Sequence, residues 1–189
     1  PAKRTTPESV DLQSLLSEMV TRGCDFAVME VSSHAIKLKR IAGSEFHIGV
    51  FTNLSQDHLD FHPSLQDYVD TKASFFEGLG IGVAEEEKAA IVNYDERYSD
   101  YVKERTSVPV ITYGTVEGAM YRARDIAIRP DGLSYTLEYA KGQVMVELPI
   151  TGQFNVYNSL AALAACLTAG IPLPMVVKGL REASPVPGR

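Results

Sequence analysis

The chain has 189 residues, 45% hydrophobic and 22% charged, an ordinary balance for a globular protein with ample length to bury a core. A formal charge of −6 leaves no basic stripe, so nucleic acid is excluded as the expected partner. No run is long and apolar enough to span a membrane and no signal peptide is visible; with only two cysteines, a cytoplasmic location is expected.

In chain order, Thr5-Thr6-Pro7-Glu8 has the chemistry of a helix start: a hydroxyl N-cap, proline in the first position and glutamate in the first turn. Val10, Leu12, Leu15, Leu16, Met19 and Val20 keep a helical period until Gly23. Phe26 to Val31 is an apolar run, expected to be a buried strand closing beside Glu30. Cys24 just before it, and Cys166 in a later apolar helix, are expected to be reduced core residues. Ser32-Ser33-His34 leads into a helical or turn segment through Arg40. Phe46 to Thr52, Lys88 to Asp95 and Val108 to Tyr113 are further strand candidates, separated by helical stretches. Alternation of this kind predicts an α/β fold, a mainly parallel sheet flanked by helices on both faces.

After Gly114 the pattern changes to strand-like alternation over Tyr121 to Ile128, Leu133 to Tyr139 and Gln143 to Leu148. Pro130-Asp131-Gly132 and Lys141-Gly142 supply the turns, so a small antiparallel sheet is expected over 115–148. The main α/β part then comprises 1–114 and 149–189. An Ala/Leu-rich helix follows Thr151-Gly-Gln-Phe-Asn155 to about Thr168, and a last helix runs from Met175 to Ala183. The chain opens on Pro1 without a start methionine and closes on a turn-rich Pro185-Val-Pro-Gly-Arg189; a domain of something longer is expected.

The densest chemical signal is Thr52 to Lys72, TNLSQDHLDFHPSLQDYVDTK. It begins where the apolar run Ile48-Gly-Val-Phe51 turns polar, and ligands of open α/β sheets sit just beyond the carboxyl ends of strands. Asp57, His58 and Asp60 follow at once. Pro63 disfavours helical geometry at His62, so His58 and His62 are not expected to be an i, i+4 ligand pair. From Ser64 the pattern is helical, with Leu65, Tyr68 and Val69 on one side, and Lys72 lies one turn beyond Tyr68. A lysine facing apolar neighbours must pair, lower its pKa or be chemically changed. Taken singly, His58 suits a cap or core histidine and Lys72 a snorkelling lysine. Glu30 at a strand end suits magnesium chemistry, although many strands end in glutamate. The phosphate-binding loop G-x-x-x-x-G-K-[ST] does not occur in these residues.

Together the motifs resemble the Mur ligases, ATP-dependent amide ligases of peptidoglycan precursor synthesis. The similarity is to the central domain of the MurE type, the UDP-N-acetylmuramoyl-tripeptide synthetases. It is carried by TTPE at 5–8, MEVSSHA at 29–35, FTNLSQDHLDFH at 51–62, YVDTK at 68–72, GQFNVYNSLAA at 152–162 and PGR at 187–189, in the family's order. The resemblance implies an enzyme that uses ATP and Mg²⁺ to join an amino acid, meso-diaminopimelate or L-lysine, to a UDP-N-acetylmuramoyl dipeptide through an acyl phosphate. It implies that Glu30 and His58 bind Mg²⁺ and that Lys72 carries a CO₂ adduct, a carbamate, as a further oxygen ligand. Thr5, Thr6, Ser32 and Arg40 match residues that hold the dipeptide substrate. Asn155, Asn158 and Arg189 match residues on the ATP side. Leu38 departs from the pattern, since some members carry glutamine there as a substrate contact. A phosphate loop and a uridine-binding domain come earlier in the family and an amino-acid-selecting domain later, so these residues alone are expected to lack ligase activity. The alternatives are another Mur ligase or a folylpolyglutamate synthetase-like enzyme, a dinuclear metallohydrolase, and a binding module that kept the fold without catalysis.

Overall fold

A computed structural model describes residues 5–54, 61–82 and 88–184. Six strands form one sheet in the order of the chain: β1 (Ile48–Phe51), β2 (Ala89–Asn93), β3 (Val110–Gly114), β4 (Tyr121–Arg129), β5 (Gly132–Tyr139) and β6 (Gly142–Leu148). The first three pair in parallel, with Val50 opposite Ile91 and Ile91 opposite Ile111. β2 is buried along its whole length, as a strand covered on both faces must be. The antiparallel meander is present, and it continues the same sheet: β4 joins β3 in parallel through Tyr113 opposite Tyr121, then pairs antiparallel with β5.

Helices cover both faces. On one side α5 (Gln153–Thr168) and α6 (Leu173–Arg181) pack with Ile91, Tyr113, Leu133, Tyr135, Leu137 and Val146. On the other, α3 (Leu65–Glu77), the 3-10 turn Gly78–Gly80 and α4 (Ser99–Arg105) pack with Phe51, Ala90 and Val92. Gly49 lets α3 approach β1 closely, since a Cβ there would lie 2.7 Å from Leu79 Cδ1 and 2.9 Å from Phe75 Cε1. α3 starts as its sequence predicts, with the Ser64 hydroxyl accepting from the Asp67 amide at 3.1 Å, and buries Tyr68, Val69, Ala73 and Phe76.

Three local expectations are corrected. Phe26 to Val31 is neither a strand nor buried: Phe26 is 62% and Val28 94% exposed. An apolar run becomes a strand only where a neighbour supplies ladder partners, and among the described residues β1 pairs with β2 alone. Cys24, expected in the core, is exposed with that segment, whereas Cys166 is half-buried against the α5 core. The first helix, α1 (Ser9–Thr21), has Glu8 at its N-cap without a side-chain cap. Thr6 does not cap it because its hydroxyl serves a more distant segment, described below.

Candidate functional site

Each of the three parallel strands ends in polar residues, and side chains from neighbouring strands pin the first of these ends. Tyr113 donates to the Phe51 carbonyl at 3.2 Å and Asn93 to the Thr52 carbonyl at 2.8 Å. Burial raises the Tyr113 phenol well above its ordinary range, so it stays a neutral donor. Asn53, the next residue, receives Lys72: Nζ lies 3.3 Å from the Asn53 carbonyl and 5.2 Å from the Tyr68 ring centroid. Of the three fates open to a half-buried lysine, pairing is therefore met, by a carbonyl and an aromatic face.

A second polar junction is built by Thr6. Its buried hydroxyl donates to the Glu30 carbonyl at 2.9 Å and accepts from the Ser32 amide at 3.2 Å. Three residues that the sequence assigns to the site are thus joined directly, with the exposed Glu30 side chain carried on the tied loop. Ser32 then caps the short helix α2 (Ser33–Lys37), accepting from the Ala35 amide at 3.2 Å. Arg40 is buried, with Nη2 3.2 Å from Glu8 Oε1. Its Nε has no hydrogen-bond partner among the described residues. Thr5 is exposed beside this loop. His58 and Arg189 lie outside the described residues.

The asparagine pair occupies the first two turns of α5. Asn155 donates to the Thr151 carbonyl at 2.8 Å and Asn158 to Asn155 Oδ1 at 3.1 Å. The N-cap is Gly152, at φ 102°, so helix capping is not what Asn155 does. Tyr157, between them, fixes these turns to the sheet: its hydroxyl donates to Asp95 Oδ2 at 2.9 Å, and Thr115 donates to the same oxygen through Oγ1 at 2.6 Å and its amide at 2.8 Å. Asp95 follows β2 and Thr115 follows β3, so both asparagines are held at the carboxyl edge of the parallel strands.

Two anchors escaped the sequence reading. One is Asp95 with Tyr157. The other is His62, whose side chain is fully buried between Asp67 and Ser33. A strand-end carboxylate was a legible hint for the first; nothing local marks the second. A cavity of about 750 Å³ lies elsewhere, lined by Tyr121, Arg122, Glu138, Tyr139 and Leu173, and shares none of these residues.

As a cation site, the described donors are sparse. No three His, Cys, Asp or Glu side chains are gathered among the described residues. Glu30 offers hard carboxylate oxygens suited to magnesium. Lys72 fits such an ion only once it has become an anionic oxygen donor.

The model of the Mur ligase middle domain matches residues 1–166. This chain belongs to the Mur ligase family. Similar proteins include the UDP-N-acetylmuramoyl-L-alanyl-D-glutamate–2,6-diaminopimelate ligase of Geobacillus thermodenitrificans, 43% identical over 190 residues. The ligase of that name from Clostridioides difficile is 42% identical over 188 residues. The alignments cover 100% and 98% of this chain but 39% and 37% of those proteins, so this Mur ligase domain spans well under half their length. A solved structure of a ligase with that name superposes with a TM-score of 0.87 at 31% identity, over 96% of this chain and 37% of its own. MurF from Acinetobacter baumannii superposes with a TM-score of 0.67 at 26% identity, over 76% of this chain and 30% of its own. Among the described residues no helix is long and apolar enough to cross a membrane.

Proposed function

We propose that this chain is the middle domain of an ATP-dependent ligase that adds 2,6-diaminopimelate to UDP-N-acetylmuramoyl-L-alanyl-D-glutamate. The observation that carries the proposal is 43% identity along the entire chain to a protein named for that reaction. That name supports diaminopimelate over L-lysine, a choice these residues do not make by their chemistry. The loop that ties Thr6, Glu30 and Ser32 beside a buried, incompletely paired Arg40 supports the reading from geometry.

The reaction joins two anions before it joins two peptides. The terminal carboxylate of the dipeptide attacks the γ-phosphorus of ATP and ADP leaves, giving an acyl phosphate. The amine of diaminopimelate attacks the acyl carbon, and phosphate departs as the amine loses a proton. Arg40, with Ser32 and the Thr5–Thr6 turn, binds and orients the dipeptide, and its guanidinium offsets the carboxylate's charge. Asn155 and Asn158 hold the nucleotide side, with Arg189 on the same ligand. Glu30, His58 and a carbamylated Lys72 would hold magnesium, which when bound neutralises the charge opposing attack on the triphosphate. The Lys72 carbamate forms when the neutral amine's lone pair attacks the carbon of CO₂, an N–C bond forms, and one Nζ proton passes to solvent.

The test is ADP release by the full-length parent protein. Release should require UDP-N-acetylmuramoyl-L-alanyl-D-glutamate and diaminopimelate together, with L-lysine a poor replacement. No dipeptide-dependent release, or a preference for L-lysine, would contradict the proposal.

A further inference from the structure

We propose that His62 is a positioning residue, fixing the dipeptide-binding loop against the helix that carries Lys72. This rests on the ligase reading above and adds to it a residue that touches no substrate.

His62 precedes a proline in a polar stretch, yet its ring is completely buried and both nitrogens are engaged. Nδ1 lies 2.6 Å from Asp67 Oδ2 and Nε2 lies 2.9 Å from Ser33 Oγ. Since the carboxylate only accepts, Nδ1 carries a proton; in the neutral ring Nε2 then accepts from the Ser33 hydroxyl. Asp67 is also gripped by Lys37, whose Nζ lies 2.6 Å from Oδ1 and donates as well to Oδ2, the oxygen shared with His62. Ser33 and Lys37 stand four residues apart on α2, so the path from Ser33 through His62 and Asp67 to Lys37 closes on one helix face. The ring clamps α2 to the first turn of α3.

Each end of the clamp leads into the proposed site. Ser33 follows Ser32, whose amide is tied to the Glu30 loop through Thr6 and whose hydroxyl caps α2. On the α3 side, the His62 ring packs against Tyr68 at 5.0 Å between centroids, and Tyr68 receives the Lys72 ammonium. Moving His62 therefore shifts the Ser32 side and the Lys72 side relative to each other. The contact order Ser33, His62, Asp67 is also that of an acyl-transfer triad. But Ser33 is 1% exposed in the first turn of α2, where no acyl donor can reach its oxygen. A buried network satisfied at every nitrogen suits fixed geometry instead.

The test uses the full-length parent with His62→Ala, His62→Asn, Ser33→Ala and the double variant of Ser33→Ala with His62→Ala. His62→Ala should raise KM for the dipeptide and the magnesium concentration for half-maximal rate by about tenfold each, leaving KM for ATP within about twofold. Calorimetric binding of the dipeptide, without ATP or metal, should weaken by a similar factor. His62→Asn, which keeps a donor toward Asp67, should recover part of the loss. Ser33→Ala should shift the same two parameters by about threefold, and the double variant should be no worse than His62→Ala alone. Proportional change in all three parameters, or a fall only in active fraction and melting temperature, overturns the proposal. If His62→Ala does not fold, the split in Ser33→Ala decides alone. A wild-type parent inactive with the dipeptide overturns the ligase reading and this one together; an active wild type with unsplit variants overturns this one only.

Discussion

At Glu30 the main chain and the side chain do separate work. The carbonyl is held by Thr6, whereas the carboxylate stands exposed on the loop so formed. Glu30→Gln keeps the backbone tie and nearly the same volume, so the fold should survive. As a proposed metal ligand, however, its loss should cost on the order of 3 kcal/mol in the transition state, about a hundredfold in the parent's turnover. Turnover that persists at ordinary magnesium would reduce Glu30 to a loop carboxylate. Lys72 is open to a sharper experiment. Lys72→Ala in the parent should abolish most activity, and acetate should restore part of it by filling the vacated oxygen-ligand position. If Lys72→Arg works normally, or Lys72→Ala needs no rescue, the bonds to Asn53 and Tyr68 are the lysine's whole purpose.

At the scale of elements, α5 is the clearest case of a helix placed by one polar junction. Its inner face is apolar and packs on the sheet, but apolar packing leaves sliding along the strands cheap. Asp95 removes that freedom by accepting from Tyr157 and twice from Thr115. Gly114 keeps the approach clear, because a Cβ there would collide with the Asp95 carboxylate. Tyr157→Phe deletes one charge-assisted bond and should cost roughly 1.5 kcal/mol of stability. It should also raise the parent's KM for ATP more than that for the dipeptide, since the asparagines on either side are on the proposed nucleotide face. Equal effects on both substrates would count against that assignment.

What the sequence makes legible follows from how local each signal is. The helical start at Ser64, the Gly-containing turns of the meander, and the last two helices are decided within a few residues, and all are found, the last helix two residues earlier than expected, at Leu173–Arg181. Phe26 to Val31 misleads because strand formation depends on a neighbour that the run itself cannot specify. α1 shows the same limit, with a helical period that is correct while Val10 and Val20 stay 80% and 77% exposed. Within the site, the grouping of Thr6, Glu30 and Ser32 was foreshadowed by motif, not by spacing. The Ser33–His62 contact spans 29 positions and leaves no periodic trace.

Over the whole molecule, α3 is the hub through which the polar edge is joined to the core. It packs on β1 and β2 by its apolar face, while its acidic face reaches α2 through Asp67 and α4 through Asp70. Lys37, then His62, holds the Asp67 carboxyl below the ordinary value of 3.8. Tyr101, aided by Gln66 and the nearby Arg105, does the same for Asp70. Both groups thus have folded pKa values depressed below their unfolded ones. Their contribution is fully present above about pH 4 and is lost as pH falls through the folded values, because below these both states are protonated alike. Acid should therefore loosen α3 from α2 and α4 before it disturbs the apolar contacts of α5 and α6. Melting temperature followed from pH 7 to about pH 2 should fall steeply below about pH 4 in the wild-type chain. The Asp67→Asn, Asp70→Asn double variant should melt lower at pH 7 and lose less on acidification, so the two curves converge. Parallel curves would mean that other carboxylates govern acid stability and that α3 is held by its apolar face alone.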